Sequence, residues 1–564
     1  MKTTSIFERS ELGRAIWSFK REFAWVGIFS FFANILMIAP TLYMLQVFDR
    51  VMISRSEITL LVLTLVVLLF FGMMAFAEWV RSRLLVRSGV KFDEQLNSLA
   101  FRASFDSRLR AGKTDASEAF SNLTQIRQFA TGVGVFAFFD APFTPVYLGV
   151  LFMMHPVLGY TSVFFIVVLL SIAFMGSQFT DIHLEKSIKA NQESGNFLGM
   201  KLRNSELVES LGMLQNLRGM WMLRHENYLE LHELSQKRMH QVQAVTKFVR
   251  YSQQSIILAV GAWLVIHGDL SPASMVAANM LMANALRPID TLVSAWRGFV
   301  MAKKAYFDLE QLLEKYPPKK VDSEPAEFKG TITVNNLIAT APSREKPILQ
   351  NINGEFHAGE VIAITGPSGA GKSTLIRCLL GIWPNYAGQV LLDGKDLNAR
   401  LRDDIGPMIG YLPQTIELFD GTIAENISRF GKVNSEWVIA AAKNVGIHEM
   451  VLRFSKGYDT PMGEAGGLLS GGQRQRIGLA RAIYGNPKLL FLDEPNANLD
   501  DAGEAALTVA IQYMRTAGAT VFMVIHQKNI MKVATRQLVL HEGQLIQDFR
   551  IQDAPSIQQV ISKA

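Results

Sequence analysis

The sequence predicts a multidomain chain: an all-α, six-helix transmembrane domain followed by an α/β domain built around a phosphate-binding loop. Three observations predict it. Six long apolar stretches fall between residues 23 and 296 of the 564-residue chain. A glycine-rich string, Gly366-Pro367-Ser368-Gly369-Ala370-Gly371-Lys372-Ser373-Thr374, lies between an apolar β-branched run and a helical one. A further apolar run ends in Asp493-Glu494.

The six stretches, approximately 23–47, 58–80, 129–153, 157–177, 250–268 and 273–296, are each long enough to cross a bilayer as helices. Leu60 to Phe71 is the clearest, an unbroken apolar run apart from Thr64. The fifth and sixth are the most polar, carrying Gln253, Gln254, Asn279, Asn284 and Arg287. The long connections, 81–127 and 178–249, are charged and read as helical extensions of the spans. Their basic residues, among them Arg81, Arg83, Arg87, Lys186, Lys189 and Lys201, place them on the cytoplasmic side, and both termini with them. The outer loops, about 48–57, His155-Pro156 and Gly268 to Ser271, are short. Residues 1–22 mix both charge signs and precede an apolar stretch longer than that of a cleavable signal, so the first span is expected to remain as an anchor.

Polar groups at membrane depth are costly and have two readings. Asp140, beside the helix-weakening Pro142 and Pro145, and Arg287, just before Pro288, either form interhelical hydrogen bonds or line a water-filled path for polar cargo.

Composition agrees with a membrane chain: 49% of residues are hydrophobic. The net charge of +6 does not indicate nucleic-acid binding, because the basic residues flank apolar spans. The single cysteine, Cys378, excludes an intrachain disulfide and a cysteine metal cluster, and reads as a core residue. The resulting division is a cytoplasmic segment 1–22, a transmembrane domain 23–316, a linker 317–329 around Pro317-Pro318, and a nucleotide-binding domain 330–564.

In that last domain, Val361–Thr365 reads as a buried strand and 374–380 as a helix. Between them the pattern G-x-x-x-x-G-K-S leaves backbone N–H groups to converge on phosphate oxygens at a helix N-terminus. Gly366, Gly369 and Gly371 supply the backbone angles and close approach that side chains would block. Lys372 is placed to reach the β- and γ-phosphates, and the Ser373 hydroxyl to ligate Mg²⁺. Lys488 to Leu492 reads as a second buried strand, with Asp493 at the carboxyl end where open α/β sheets bind ligands. Asp493 is expected to hold Mg²⁺ through water, and Glu494 to polarise the attacking water. A third strand, Val521–Ile525, is followed by His526.

These motifs, with Leu469-Ser470-Gly471-Gly472-Gln473 just before the Asp493 strand, resemble the nucleotide-binding domain of ABC transporters over roughly 328–550. The resemblance implies ATP hydrolysis and several residue roles. Gln414 contacts Mg²⁺, and His526 senses the γ-phosphate. Glu464 lies in a loop specific to exporters, and Asn498-Leu499-Asp500 forms the loop that crosses between paired domains. Ser470, Gly471, Gly472 and Gln473 bind the γ-phosphate of nucleotide held by a partner domain, so two chains pair as a homodimer. The pattern departs at Ile338 to Pro342, where such domains carry an adenine-stacking ring; its lack implies loose discrimination between ATP and GTP.

The membrane half resembles type I protein secretion ATPases, in particular the PrtD family. The likeness rests on Gln125-Ile-Arg-Gln-Phe-Ala-Thr-Gly132, Phe138-Phe-Asp-Ala-Pro142, Val208 to Met213 and Ser294 to Val300. It implies a type I ABC exporter fold and a bacterial inner-membrane homodimer docked to a periplasmic adaptor and an outer-membrane channel. The implied cargo is an unfolded protease, lipase or related protein with an uncleaved C-terminal signal. Only about 22 residues precede the first span, so no peptidase-like domain is expected there. A lipid or drug exporter of the same half-transporter architecture is the alternative.

Overall fold

The computed structural model describes residues 10–111, 116–202, 205–317, 328–341, 346–399, 402–463, 469–525 and 528–551. The chain forms two compact units, one of Met1–Asp106 with Thr114–Pro318 and one of Ser107–Lys113 with Lys319–Ala564.

The first unit is helical. Helix α1 (Glu11–Ser18) is capped by Ser10, whose Oγ accepts from the Gly13 N–H at 2.9 Å. Its Leu12 and the following Phe19 are buried against Phe92, Leu96, Leu123 and Leu309. The described part of the N-terminal segment is therefore packed structure. Helix α2 (Lys20–Leu36) gives way at Met37-Ile38, two residues before Pro40, and a helix Ala39–Gln46 continues the span. Arg55, in a left-handed conformation, turns the chain into α3 (Glu57–Ala111), which carries the clearest apolar run far beyond bilayer length. Helix α4 (Ala116–Thr131) leads to α5 (Val133–Asp140).

The third expected span is not one continuous helix. A 3₁₀ turn, Ala141–Phe143, separates α5 from α6 (Thr144–Met154), with Pro142 near the start of the turn and Pro145 near the start of α6. Proline removes an intrahelical N–H and clashes with the preceding turn, which accounts for the break. Helices α7 (Pro156–Leu202), α8 (Leu214–Ile266) and α9 (Pro272–Lys315) follow, with a short helix Ser205–Ser210 between the first two.

Five segments among the described residues are long and apolar enough to cross a membrane: Lys20–Ser54, Glu57–Arg110, Gly134–Met154, Pro156–Gly176 and Leu214–Ile266. The sixth expected span lies in α9, which has the length but less apolarity. Its Ala277, Ala278, Leu281, Met282 and Ala285 are all buried, packed with Tyr147, Leu151, Leu158 and Ile257. A helix surrounded by protein need not be lipid-like, so it escapes a hydropathy criterion.

Asp140 is satisfied by two other helices. Its Oδ1 accepts from Arg81 Nη1 at 2.9 Å and from Asn34 Nδ2 at 2.8 Å, while Arg81 also lies over the Phe136 ring. Tyr147 Oη donates to the Asn34 carbonyl at 2.8 Å. The interhelical reading of Asp140 is thus what the geometry favours. Asp140 and Arg287 nevertheless share the wall of one cavity of about 70 Å³.

The second unit is α/β. Strands β1 (Ile332–Ala339), β2 (Leu349–Phe356), β3 (Val361–Thr365), β4 (Tyr386–Leu392), β5 (Lys395–Asp396), β6 (Ile409–Leu412), β7 (Leu489–Asp493), β8 (Thr520–Val524), β9 (Arg536–His541) and β10 (Gln544–Arg550) make two sheets. One has the order β2-β1-β4-β5 and is antiparallel. The other has the order β10-β9-β3-β8-β7-β6, parallel except for its β9–β10 hairpin. β3, β7 and β8 are almost fully buried, which is why they read as unbroken apolar runs. Phe491 stacks on Phe522 at 5.1 Å, and Phe356 meets the same ring edge-on, tying the two sheets into one core. The expected β7 and β8 strands each lie within one residue of their observed bounds.

Candidate nucleotide site

Parallel pairing fixes the site. β8 lies between β3 and β7, with Ile364 and Asp493 both registered on Val524, so three strands deliver their carboxyl ends to one edge. The loop after β3 enters α10 (Lys372–Leu379). Gly366 has φ 145°, and a Cβ there would lie 2.1 Å from the Leu540 carbonyl oxygen. Gly371, with φ 96°, would set a Cβ 2.7 Å from Leu349. No other residue fits either position, since both need an unusual angle and a missing side chain. Between them Pro367, Ser368 and Gly369 form the exposed rim, and Ala370 is buried under it. Thr374 follows Ser373 in the first turn of α10.

Lys372 folds back over this loop. Its Nζ donates to the carbonyls of Gly366 and Pro367, each at 2.9 Å. Burial pulls the Lys372 ammonium below its ordinary pKa, and the carboxylates of Glu494 and Asp493 oppose that pull.

Ser373 Oγ donates to Asp493 Oδ1 at 3.0 Å, joining residues 120 apart in sequence. Asp493 is only 1% exposed, and its second oxygen, Oδ2, is buried with no hydrogen-bond partner among the described residues. Burial raises the Asp493 pKa, with Glu494 adding in the same direction and the Ser373 hydroxyl opposing. An orphaned carboxylate oxygen beside a serine hydroxyl is a hard-oxygen donor set, and it fits Mg²⁺.

Glu494 occupies a left-handed conformation, φ 52°, which turns it away from the direction of Asp493. Gln414, two residues beyond β6, donates from Nε2 to Glu494 Oε2 at 3.0 Å. The structure therefore brings Lys372, Ser373, Gln414, Asp493 and Glu494 to one edge. His526 and Glu464 lie outside the described residues.

After a helix α11 (Ser435–Asn444), the remaining predicted group heads α12 (Gly471–Ile483). Ser470 is its N-cap, with Oγ accepting from the Gln473 N–H at 3.2 Å and the Gln473 side chain returning to the Ser470 N–H at 3.0 Å. This reciprocal box presents Gly471 and Gly472 at a helix N-terminus, where the macrodipole and free N–H groups favour an anion. A Cβ on Gly472 would lie 2.8 Å from the Asn498 carbonyl oxygen, so the two segments touch backbone to backbone.

Sequence reasoning missed Gln475. It is 2% exposed, donates to the Pro495 carbonyl and accepts from the Asn498 N–H at 3.1 Å. It thereby straps α12 to the loop that follows Glu494. The available signal was a lone amide on the buried face shared with Leu479 and Ala482, at helical spacing. Arg429 was missed too. In a left-handed conformation, it donates to the carbonyls of Arg481, Ala482 and Tyr484 at the end of α12, and to those of Gly406 and Ile409. Burial pulls its pKa down to about 10. Trp383 Nε1 donates to the Thr340 carbonyl at 3.0 Å, bringing a ring to the end of β1, where the local sequence has none.

Comparison with known proteins agrees with this geometry. The family described as ABC transporter matches residues 349–497, and the ABC transporter transmembrane region matches residues 23–289. The type I secretion system ATP-binding protein PrsD of Rhizobium meliloti (strain 1021) is 36% identical over 544 residues, 96% of this chain and 94% of that protein. The alpha-hemolysin translocation ATP-binding protein HlyB of Escherichia coli is 29% identical, covering 94% of this chain and 76% of that protein. A solved bacterial Atm1-family ABC exporter with ATP bound shares the fold at a TM-score of 0.81 and 20% identity, over 97% of this chain and 98% of that one. The chain belongs to the ABC transporter family, among the type I secretion ATP-binding proteins, membrane proteins that couple ATP hydrolysis to protein export.

Proposed function

We propose that this chain is the permease and ATPase subunit of a type I secretion system, moving an unfolded polypeptide with a C-terminal signal across a bacterial inner membrane. The full-length likeness to a type I secretion protein carries this reading. The membrane domain spans 23–316 and the nucleotide-binding domain 330–564, joined by 317–329, with both termini cytoplasmic. Two copies pair as a homodimer, and the dimer works with a periplasmic adaptor and an outer-membrane channel.

The site roles follow the donor geometry. Backbone N–H groups of residues 366–374, Pro367 excepted, and the Lys372 ammonium bind the phosphates of ATP. Ser373, Asp493 and Gln414 hold Mg²⁺, which when bound neutralises charge on the transferred phosphoryl oxygens. Glu494, held by Gln414, orients the attacking water and accepts its proton, with His526 against the γ-phosphate. Ser470, Gly471, Gly472 and Gln473 close on nucleotide held by the partner.

The test compares secreted proteins of cells carrying the wild-type chain, no chain, or Glu494→Gln. Loss of a defined set of extracellular proteins in both deficient strains is expected, and Glu494→Gln protein should bind ATP with turnover reduced at least about 100-fold. An unchanged extracellular set would refute the export reading, and normal turnover by the variant would refute the role of Glu494.

A further inference from the structure

In the helical unit, α5, α7, α8 and α9 enclose a cavity of about 310 Å³, separate from the one beside Asp140. Its depth follows from the span bounds. Phe138 lies near the start of Gly134–Met154, and Leu170 and Phe174 near the end of Pro156–Gly176. Met239 and Gln243 precede the apolar end of α8. The cavity thus sits where spans emerge at the side of the charged connections.

The helices around it are already at closest approach. A Cβ on Gly176 would lie 2.7 Å from Val242 of α8, and one on Gly134 would lie 2.6 Å from the Ala295 Cβ of α9. The space is therefore set by the large side chains beside these contacts, not by loose packing. Its wall has two chemistries. Phe138, Phe174, Met239, Ile289 and Trp296 form an apolar floor. Ser235, Gln236, Gln243 and Ser294 supply hydroxyl and amide groups beside it, with Arg297 as a fixed positive charge and no carboxylate among the described lining residues.

We propose that this cavity binds a short apolar, aromatic-containing stretch of the exported polypeptide, side chains on the floor and backbone paired with Gln236 and Gln243. The inference rests on the protein-export reading and names the part of the cargo that the membrane unit recognises. A lipid acyl chain matches the floor but leaves the amides and hydroxyls facing hydrocarbon, which is unfavourable. A peptide satisfies both, because each residue brings one N–H and one C=O. The positive charge of Arg297 disfavours a basic stretch. The volume is at the lower end of the roughly 300–1,000 Å³ usual for preformed binding pockets, which suits a few side chains and not a folded domain.

The test uses full-length protein in phosphatidylethanolamine and phosphatidylglycerol nanodiscs, with Val293→p-benzoylphenylalanine as photo-crosslinker and Met239→p-benzoylphenylalanine as a second position. Probes are a biotinylated peptide amide with three consecutive Phe and Leu residues and its counterpart with Lys at those positions. A saturable adduct with the apolar peptide from at least one position is expected, with little from the Lys peptide. Gln243→Leu should shift the half-saturating concentration upward about tenfold. Equal adducts with both peptides, adducts only to phospholipid, or no shift in Gln243→Leu would overturn the proposal. Export by the wild-type chain is scored separately in cells. Export without peptide adducts removes this inference and leaves the function standing, whereas absence of export removes the function itself.

Discussion

Asp493 shows how a single buried carboxylate lowers stability as it ionises. Buried, with one oxygen lacking a donor among the described residues, it prefers protonation more in the folded chain than in the unfolded one. A pKa raised on folding means that the folded state binds protons more tightly, so this residue's contribution to stability falls as pH rises from the ordinary carboxyl range through the raised value. Asp493→Asn removes that slope. The nucleotide-free variant should melt higher than wild type at neutral pH, by roughly 2–4 °C per kcal/mol relieved, and the two should converge at acid pH. The same variant should lose Mg²⁺-dependent ATP hydrolysis. A pH series of thermal melts, with ATPase assays alongside, checks both. At this scale much was legible in sequence, because a phosphate loop needs glycine and lysine at fixed offsets. The fold of Lys372 onto its own loop, the positive φ of Glu494 and the Gln414–Glu494 bond were not, since they depend on neighbours distant in sequence.

At the scale of elements, α12 is the part whose placement joins the most of the site. Its N-terminus carries the Ser470–Gln473 box, its middle is strapped to the Asn498 loop by Gln475, and its C-terminal carbonyls are gathered by Arg429. A cation at a helix C-terminus is favourable, and here it also satisfies strand and turn carbonyls near β6. Arg429→Met keeps comparable length but leaves those carbonyls without a donor. It should cost at least about 3 kcal/mol, because each buried unsatisfied group costs roughly 1–3. Denaturant unfolding of the full-length chain in detergent should show a lower midpoint for this domain, and an unchanged midpoint would refute the clamp. Helix extents in the membrane unit were legible where lipid-facing apolarity is continuous, as in α3. They were less so in α9, which hides among other helices, and at Ala141–Phe143, where prolines divide an apolar run without changing its hydropathy.

For the whole molecule, the decisive question is which chain supplies each half of a nucleotide site. Ser470 and Gln473 bond to one another and, through the same helix, to the loop after Glu494, so they move with their own domain's catalytic edge while facing outward. A head-to-tail pair would offer this helix end to nucleotide on the other chain, and two-fold symmetry would make two such sites. Mixed dimers decide the matter. Lys372→Ala and Ser470→Arg should each be inactive as homodimers, since each damages both composite sites. When the two variants are co-expressed with different tags and the mixed dimer is purified, both defects fall in one site. The other site combines an intact loop with an intact signature, and ATPase activity should return to a substantial fraction of wild type. If each chain instead completed its own site, both sites of the mixed dimer would carry a defect and activity would stay at the homodimer background. A mixed dimer as inactive as its parents would therefore refute the composite arrangement or show that the two sites fire only together; a third pairing, wild type with the Lys372→Ala, Ser470→Arg double variant, separates these, because chains that completed their own sites would leave the wild-type site intact and active, whereas composite sites would each carry one defect and stay at background.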